Sequence, residues 1–195
     1  MASLEVAYML NGLAQINVEL SARCDKATLC GFCHHQKPHS GLTYGDMDFA
    51  LLQSIRAQIE PGIVWQAHRD GDALAYPYLS EALDLFDGFI RSLVTHGETL
   101  AARADAVIGR CESVCVSVFH GDPDAELQFK SVLAFLKQKG DRLPRLLIKV
   151  VGDMDATHYE SLGVPIIHRR LHDALNTRYV KATPQMFEHA ICADF

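Results

Sequence analysis

Ile16-Asn-Val-Glu-Leu-Ser-Ala-Arg-Cys24-Asp-Lys-Ala-Thr-Leu-Cys30-Gly-Phe-Cys33 is the stretch on which the reading of the fold turns. From Ile16 to Ser21 apolar and polar side chains alternate, the period of a strand with one buried face. Cys24, Cys30 and Cys33 then crowd into a loop that opens straight out of that strand. In parallel α/β folds ligands gather at the carboxyl ends of the strands, where loops vary without disturbing the sheet. A cysteine-rich loop in that position is a candidate functional site.

Downstream, a unit of strand, loop and helix recurs. The polar stretch 34–41 turns at Pro38 and Gly41, and Asp46 opens a helical pattern with Phe49, Leu52, Ile55 and Ile59 on one face, stopped by Pro61 and Gly62. Ile63 to His68 reads as the second strand, followed by the turn Arg69-Asp-Gly-Asp72 and a helix carrying Leu79, Leu83 and Phe86. Phe89 to Thr95 and Ser113 to Phe119 are the next strands, with a short helix through Leu100 and Val107 between them. A helix that Asp124 is placed to cap follows, with Phe129, Val132, Leu133 and Leu136 as its buried face. Leu146 to Val151 and Pro165 to Arg169 complete six strands, separated by a helical turn around 156–162. This alternation implies parallel pairing through right-handed crossovers. Six units in 195 residues suit a partial (β/α)6 TIM-like barrel, since eight take about 250 residues. A doubly wound open sheet is the competing architecture.

Composition narrows the class. A chain 49% hydrophobic and 22% charged is an ordinary globular composition, and no apolar run approaches the roughly 18 residues of a membrane span. The start Met-Ala-Ser-Leu-Glu-Val lacks the basic flank of an export signal, so the expected location is the cytoplasm. A net charge of -6 argues against nucleic acid as the main partner, because such binding neutralises phosphates with Lys and Arg. The six cysteines are clustered rather than spaced as a disulfide framework, which fits reduced thiols on a metal.

Three chemistries suit the loop. Cys30-Gly-Phe-Cys33 alone could act as a redox dithiol, but such sites sit at a helix N-terminus, and 34–41 is a poor helix sequence. Cys24, Cys30 and Cys33 with His34 or His35 make a zinc tetrahedron, although structural zinc usually takes two separated ligand pairs. Three thiolates from one loop can also hold three irons of a cubane cluster and leave the fourth open to a ligand.

The third arrangement resembles the radical S-adenosylmethionine (SAM) enzymes, whose cluster loop commonly spaces its cysteines by three and then two residues, with an aromatic residue before the last. Phe32 stands at that aromatic position, while the first gap here is five residues. The resemblance implies a [4Fe-4S] cluster on Cys24, Cys30 and Cys33, with SAM as cofactor. It further implies a 5′-deoxyadenosyl radical that takes hydrogen from a small-molecule or peptide substrate, with flavodoxin or ferredoxin as the kind of electron donor. Asp70-Gly71-Asp72 is similar to the family's glycine-glycine-glutamate-proline segment, whose carbonyls receive the SAM amino group; only the glycine is identical. Ser117 looks like the residue directed at the ribose hydroxyls. Lys149 and Arg169 are candidates for the methionine carboxylate, since a cation facing a barrel interior needs an anion.

His68, His96, His120 and His168 each fall near a predicted strand end, as mouth-lining or exposed loop residues, and Cys111 and Cys115 read as buried thiols. Residues 1–172 form the expected barrel. The tail 173–195 is similar to the segment that leads, in some relatives, to an auxiliary cluster; Cys192 lacks partners there and reads as a structural thiol in a truncated extension. The alternative from another class is a zinc-binding module without catalysis, or an inactive truncated relative.

Overall fold

The computed structural model describes residues 13–26 and 44–169 with their side chains, and 172–173 and 178–179 by their backbone. Cys30, Phe32, Cys33, the stretch 34–41 and most of the tail, Cys192 included, lie outside the described residues. Six strands form one sheet: β1 (Gln15–Asn17), β2 (Val64–Ala67), β3 (Ile90–Thr95), β4 (Ser113–Phe119), β5 (Arg145–Val151) and β6 (Ile166–Arg169). Between them lie α1 (Phe49–Arg56), a 3-10 turn (Ala73–Ala75), α2 (Leu79–Leu85), α3 (Ala104–Val107), α4 (Ala125–Lys139) and α5 (Thr157–Glu160). A two-stranded antiparallel ladder, His172–Asp173 with Arg178–Tyr179, follows where no period is evident in the sequence. Among the described residues no helix is long and apolar enough to cross a membrane.

The strand order is β1-β2-β3-β4-β5-β6, and every pairing is parallel. That order separates the two expected architectures. A doubly wound sheet reverses its order at a switch point and carries helices on both faces. A sheet that adds each strand to the same edge through right-handed crossovers keeps its helices on one face and turns the other inward, as a barrel does. The molecule is of the second kind, an open partial barrel.

Register divides the sheet into two chemically different faces. Ala67, Leu93, Val114 and Leu146 are successive cross-strand partners, and all four are buried in the core together with Leu52, Leu83, Val107 and Phe135 from the helices. Trp65 shares this face and stacks on Phe86 with ring centroids 4.1 Å apart and planes at 7°. The opposite face carries Gln66, Ser92 and Ser113 in one register row, and Ser117, Lys149 and Ile167 in another. Polar contacts run along it: Gln15 Nε2 donates to Gln66 Oε1 at 3.0 Å, and Ser113 Oγ to Ser92 Oγ at 3.0 Å.

Two expected helix starts are corrected by ion pairs. Asp48, not Asp46, caps α1, accepting from the Leu51 N–H at 3.0 Å, because the Asp46 carboxylate is held by Arg23 at 2.5 Å. Asp124 precedes α4 without a side-chain cap bond, its carboxylate being 3.1 Å from the Lys26 ammonium. The buried face of α4 is also rotated from the expected one. Gln128, Ser131, Val132 and Phe135 are buried, whereas Phe129 and Leu136 are only partly covered.

Candidate active site

After β1 the chain runs to the edge where the strands end, and there four consecutive residues are tied down. Arg23 pairs with Asp46, and its carbonyl accepts from the Asp72 N–H at 2.8 Å. Cys24 is half-buried and lies next to His96. Asp25 reaches His96 Nε2 at 2.8 Å. Lys26 lies beneath, its side chain 1% exposed, with Glu98 at 2.6 Å, Asp122 at 2.7 Å and Asp124 at 3.1 Å. Burial disfavours a charge on Lys26, but these carboxylates more than offset it and hold the ammonium above its usual range.

The segment 70–72 is pressed against this root. The Asp70 and Gly71 N–H groups both donate to Glu19 Oε1, at 2.8 and 3.0 Å. A Cβ at Gly71 would lie 2.1 Å from the Ser21 carbonyl oxygen, so only glycine allows the approach. Asp72 turns its carboxylate inward, where Thr95 Oγ1 donates at 2.7 Å, the His96 N–H at 2.9 Å and the Leu74 N–H at 2.8 Å. Its own carbonyl accepts from the Ala75 N–H. Burial pushes the Asp72 carboxyl up, against the pull of His96 and Thr95.

His96 links the two segments. Its Nε2 stands 2.8 Å from Asp25 and 3.3 Å from Asp72. Burial opposes a charge on the ring, yet the hydrogen bonds to Asp25 and Cys24, with the Asp72 carboxylate, raise its pKa to about 10. The same pairing with His96 holds the Asp25 carboxyl below its ordinary value. The Glu98 N–H approaches Nδ1 at 3.2 Å, which suits a bare nitrogen. The Glu98 carboxylate lies 3.9 Å from the same nitrogen.

The other expected residues fall on the inner face. Ser117 is buried, and its register partner on β5 is half-buried Lys149. Arg169 is exposed at the end of β6, opposite Val151. Both cations act on Cys115, whose thiol burial nevertheless pushes up. Of the histidines at strand ends, His96 is buried in the site and His68 is half-buried, while His120 and His168 are exposed. Cys111 and Cys115 are buried free thiols.

Several members of the site escape a reading of the sequence alone. Glu98 and Asp122 directly follow predicted strands, a position that would have marked them, but nothing local ties them to Lys26. Gln128 is fully buried, donating from Nε2 to the Ser117 carbonyl at 2.9 Å and to the His96 carbonyl, and accepting from Tyr159 at 2.8 Å. Its spacing from Val132 and Phe135 puts it on the buried stripe of α4.

No family model and no curated protein matches the chain. Among solved structures, BtrN in complex with AdoMet and 2-DOIA aligns with a TM-score of 0.47 and 14% identity, covering 80% of this chain and 56% of that one. Archaeal TYW1 aligns with a TM-score of 0.53 and 16% identity, covering 82% of this chain and 66% of that one. The chain thus spans between about half and two thirds of the length of these structures. The likeness to TYW1 is one of fold: an open sheet of six parallel strands, with helices alternating along the chain, as in a partial TIM-like barrel.

Proposed function

We propose that this chain is the barrel of a radical SAM enzyme, with a [4Fe-4S] cluster on Cys24, Cys30 and Cys33 and with SAM against the inner face. The observation that carries the reading is the setting of Cys24. It is a half-buried thiol next to His96, past the carboxyl end of β1, in an open parallel sheet whose inner face carries Ser117, Lys149 and Arg169. Sulfur in this position fits a soft metal group, and Ser117, Lys149 and Arg169 fit a polar, carboxylate-bearing ligand.

When bound, the cluster would supply the electron for reductive cleavage of SAM, which is the cofactor's chemistry. The protein's own part is placement and exclusion of water. Lys149 and Arg169 bind the methionine carboxylate, Ser117 hydrogen-bonds the ribose, and the Asp70 and Gly71 carbonyls accept from the amino group. Buried Val94, Cys115 and Val151 on the inner face keep that wall dry. The substrate is a small molecule or a peptide, and a flavodoxin or ferredoxin delivers the electron.

The test is anaerobic reconstitution with iron and sulfide, read by EPR of the reduced protein with and without SAM, with Cys30→Ala as control. The expected result is a [4Fe-4S] signal that SAM perturbs and that the variant lacks. Stoichiometric zinc with no cluster uptake would replace this reading with that of a zinc-binding module.

A further inference from the structure

We propose that Lys26 is a built-in latch, a positioning residue whose ammonium fills a carboxylate cage and thereby fixes Cys24 before any metal arrives. Glu98, Asp122 and Asp124 offer oxygens within 4.8 Å of one another, the kind of grouping a hard divalent ion takes. Here the chain supplies the cation itself, with all three carboxylates at 2.6 to 3.1 Å from Nζ. Glu98 follows β3 and Asp122 and Asp124 follow β4, so one side chain ties the root of the cysteine loop to two strand ends at once.

The cage works only with its cation. The side chains of Lys26, Glu98 and Asp122 are each no more than 2% exposed, so removal of the ammonium would leave buried carboxylates facing one another with little water to screen them. The groups would separate, and the chain at 24–26 would lift with them. Cys24 lies two residues before the latch, and Asp25 between them holds His96. Losing the latch therefore frees the first cysteine of the loop while the core, on the opposite face of the sheet, stays intact. The functional consequence, a preformed cluster loop, rests on the reading of Cys24 as an iron ligand; the mechanical one does not.

The test uses the full chain in iron-free form under anaerobic conditions, well below its unfolding temperature. Alkylation of each cysteine by iodoacetamide is followed by mass spectrometry. In Lys26→Met, Cys24 should react roughly tenfold or more faster, the scale set by breaking a buried ion pair, while Cys111 and Cys115 keep their protection. In Lys26→Ala, propylammonium chloride, which restores the missing atoms, should return Cys24 to the slow rate, and an equal concentration of sodium chloride should not. Asp124→Asn removes the most exposed contact of the cage and should accelerate Cys24 by a smaller factor; it decides the matter if the Lys26 variants do not fold. An unchanged Cys24 rate in the folded variants, or an equal acceleration at Cys111, would overturn the latch. A wild-type chain that takes up no iron would end the cluster reading and leave this result standing.

Discussion

Tyr159 on α5 donates its hydroxyl to Gln128 Oε1 on α4 across 2.8 Å, inside the core and with both residues fully buried. The other end of Gln128 serves the carbonyls of Ser117 and His96, so one amide joins two helices to two strands beneath the site. Burial pushes the Tyr159 hydroxyl up to about 12, which keeps it a donor throughout the physiological range. Gln128→Leu conserves most of the volume but strands one hydroxyl and the carbonyls it served. A loss of about 2–4 kcal/mol is expected from leaving such groups unpaired, read as a lower urea midpoint with an unchanged slope. Gln128→Glu should also destabilise, since a carboxylate cannot donate to either carbonyl.

At Gly71 the constraint is space rather than backbone angle. Because an added Cβ would meet the backbone at Ser21, Ala22 and Arg23 within 2.1 to 2.7 Å, Gly71→Ala must push the β2 loop off the loop root. The expected cost is about 1–3 kcal/mol, the range for overpacking, or roughly 2–10 °C in Tm for a domain of this size. Gly109→Ala is the control for backbone conformation: its φ is +78° and nothing lies within 4 Å of its Cβ. It should cost only about 1 kcal/mol.

Cys111 predicts a pH dependence. Burial, helped by the Glu112 carboxylate, pushes its thiol up to about 12. In the unfolded chain a thiol titrates near 8.5. A raised native pKa means the stability it contributes is complete below that unfolded value and is lost as pH rises toward 12. Urea titrations at pH 8 and pH 10 should therefore show wild type losing about 1–2 kcal/mol relative to Cys111→Ala. An equal loss in both proteins would assign the effect elsewhere.

The cations of the inner face predict a binding phenotype. If Lys149 and Arg169 hold the SAM carboxylate, Lys149→Gln and Arg169→Gln should each weaken SAM binding about tenfold, the usual worth of a charge-assisted hydrogen bond. Equilibrium dialysis of the reconstituted protein measures this. Arg145→Gln, on an exposed residue at the start of β5, should leave affinity unchanged. A carboxylate bound elsewhere would show as unchanged affinity in all three.

Much of the fold is written in local pattern. β4 spans Ser113 to Phe119 as its alternating apolar and small polar residues suggest, and the sequential strand order follows from repeated short crossovers. What escapes the sequence is long-range charge. Asp46 looks like a helix start and Asp124 like a helix cap, roles that depend only on neighbours. Each is instead claimed by a cation far along the chain, Asp46 by Arg23 and Asp124 by Lys26, the latter pair 98 positions apart. Gln128 escapes for a related reason: a polar residue on a helix reads as solvent-facing unless its partners are known, and these sit on other elements. The cysteine loop stands out in the sequence by its spacing, whereas His96 is one of ten histidines and gains its place in the site only when β3 delivers it to Asp25.

The division of the sheet into two faces has a consequence for how this protein can change. Along β4, Val114, Val116 and Val118 answer to the helices, and Ser113, Cys115 and Ser117 answer to whatever lies in the concavity. Neighbouring codons are therefore under different demands, one set fixed by folding and the other free to track a ligand. A library confined to Ser92, Ser113 and Cys115 would explore new specificities at little expense to the fold, and the same separation leaves room for a lineage to exchange substrates while its architecture stands still.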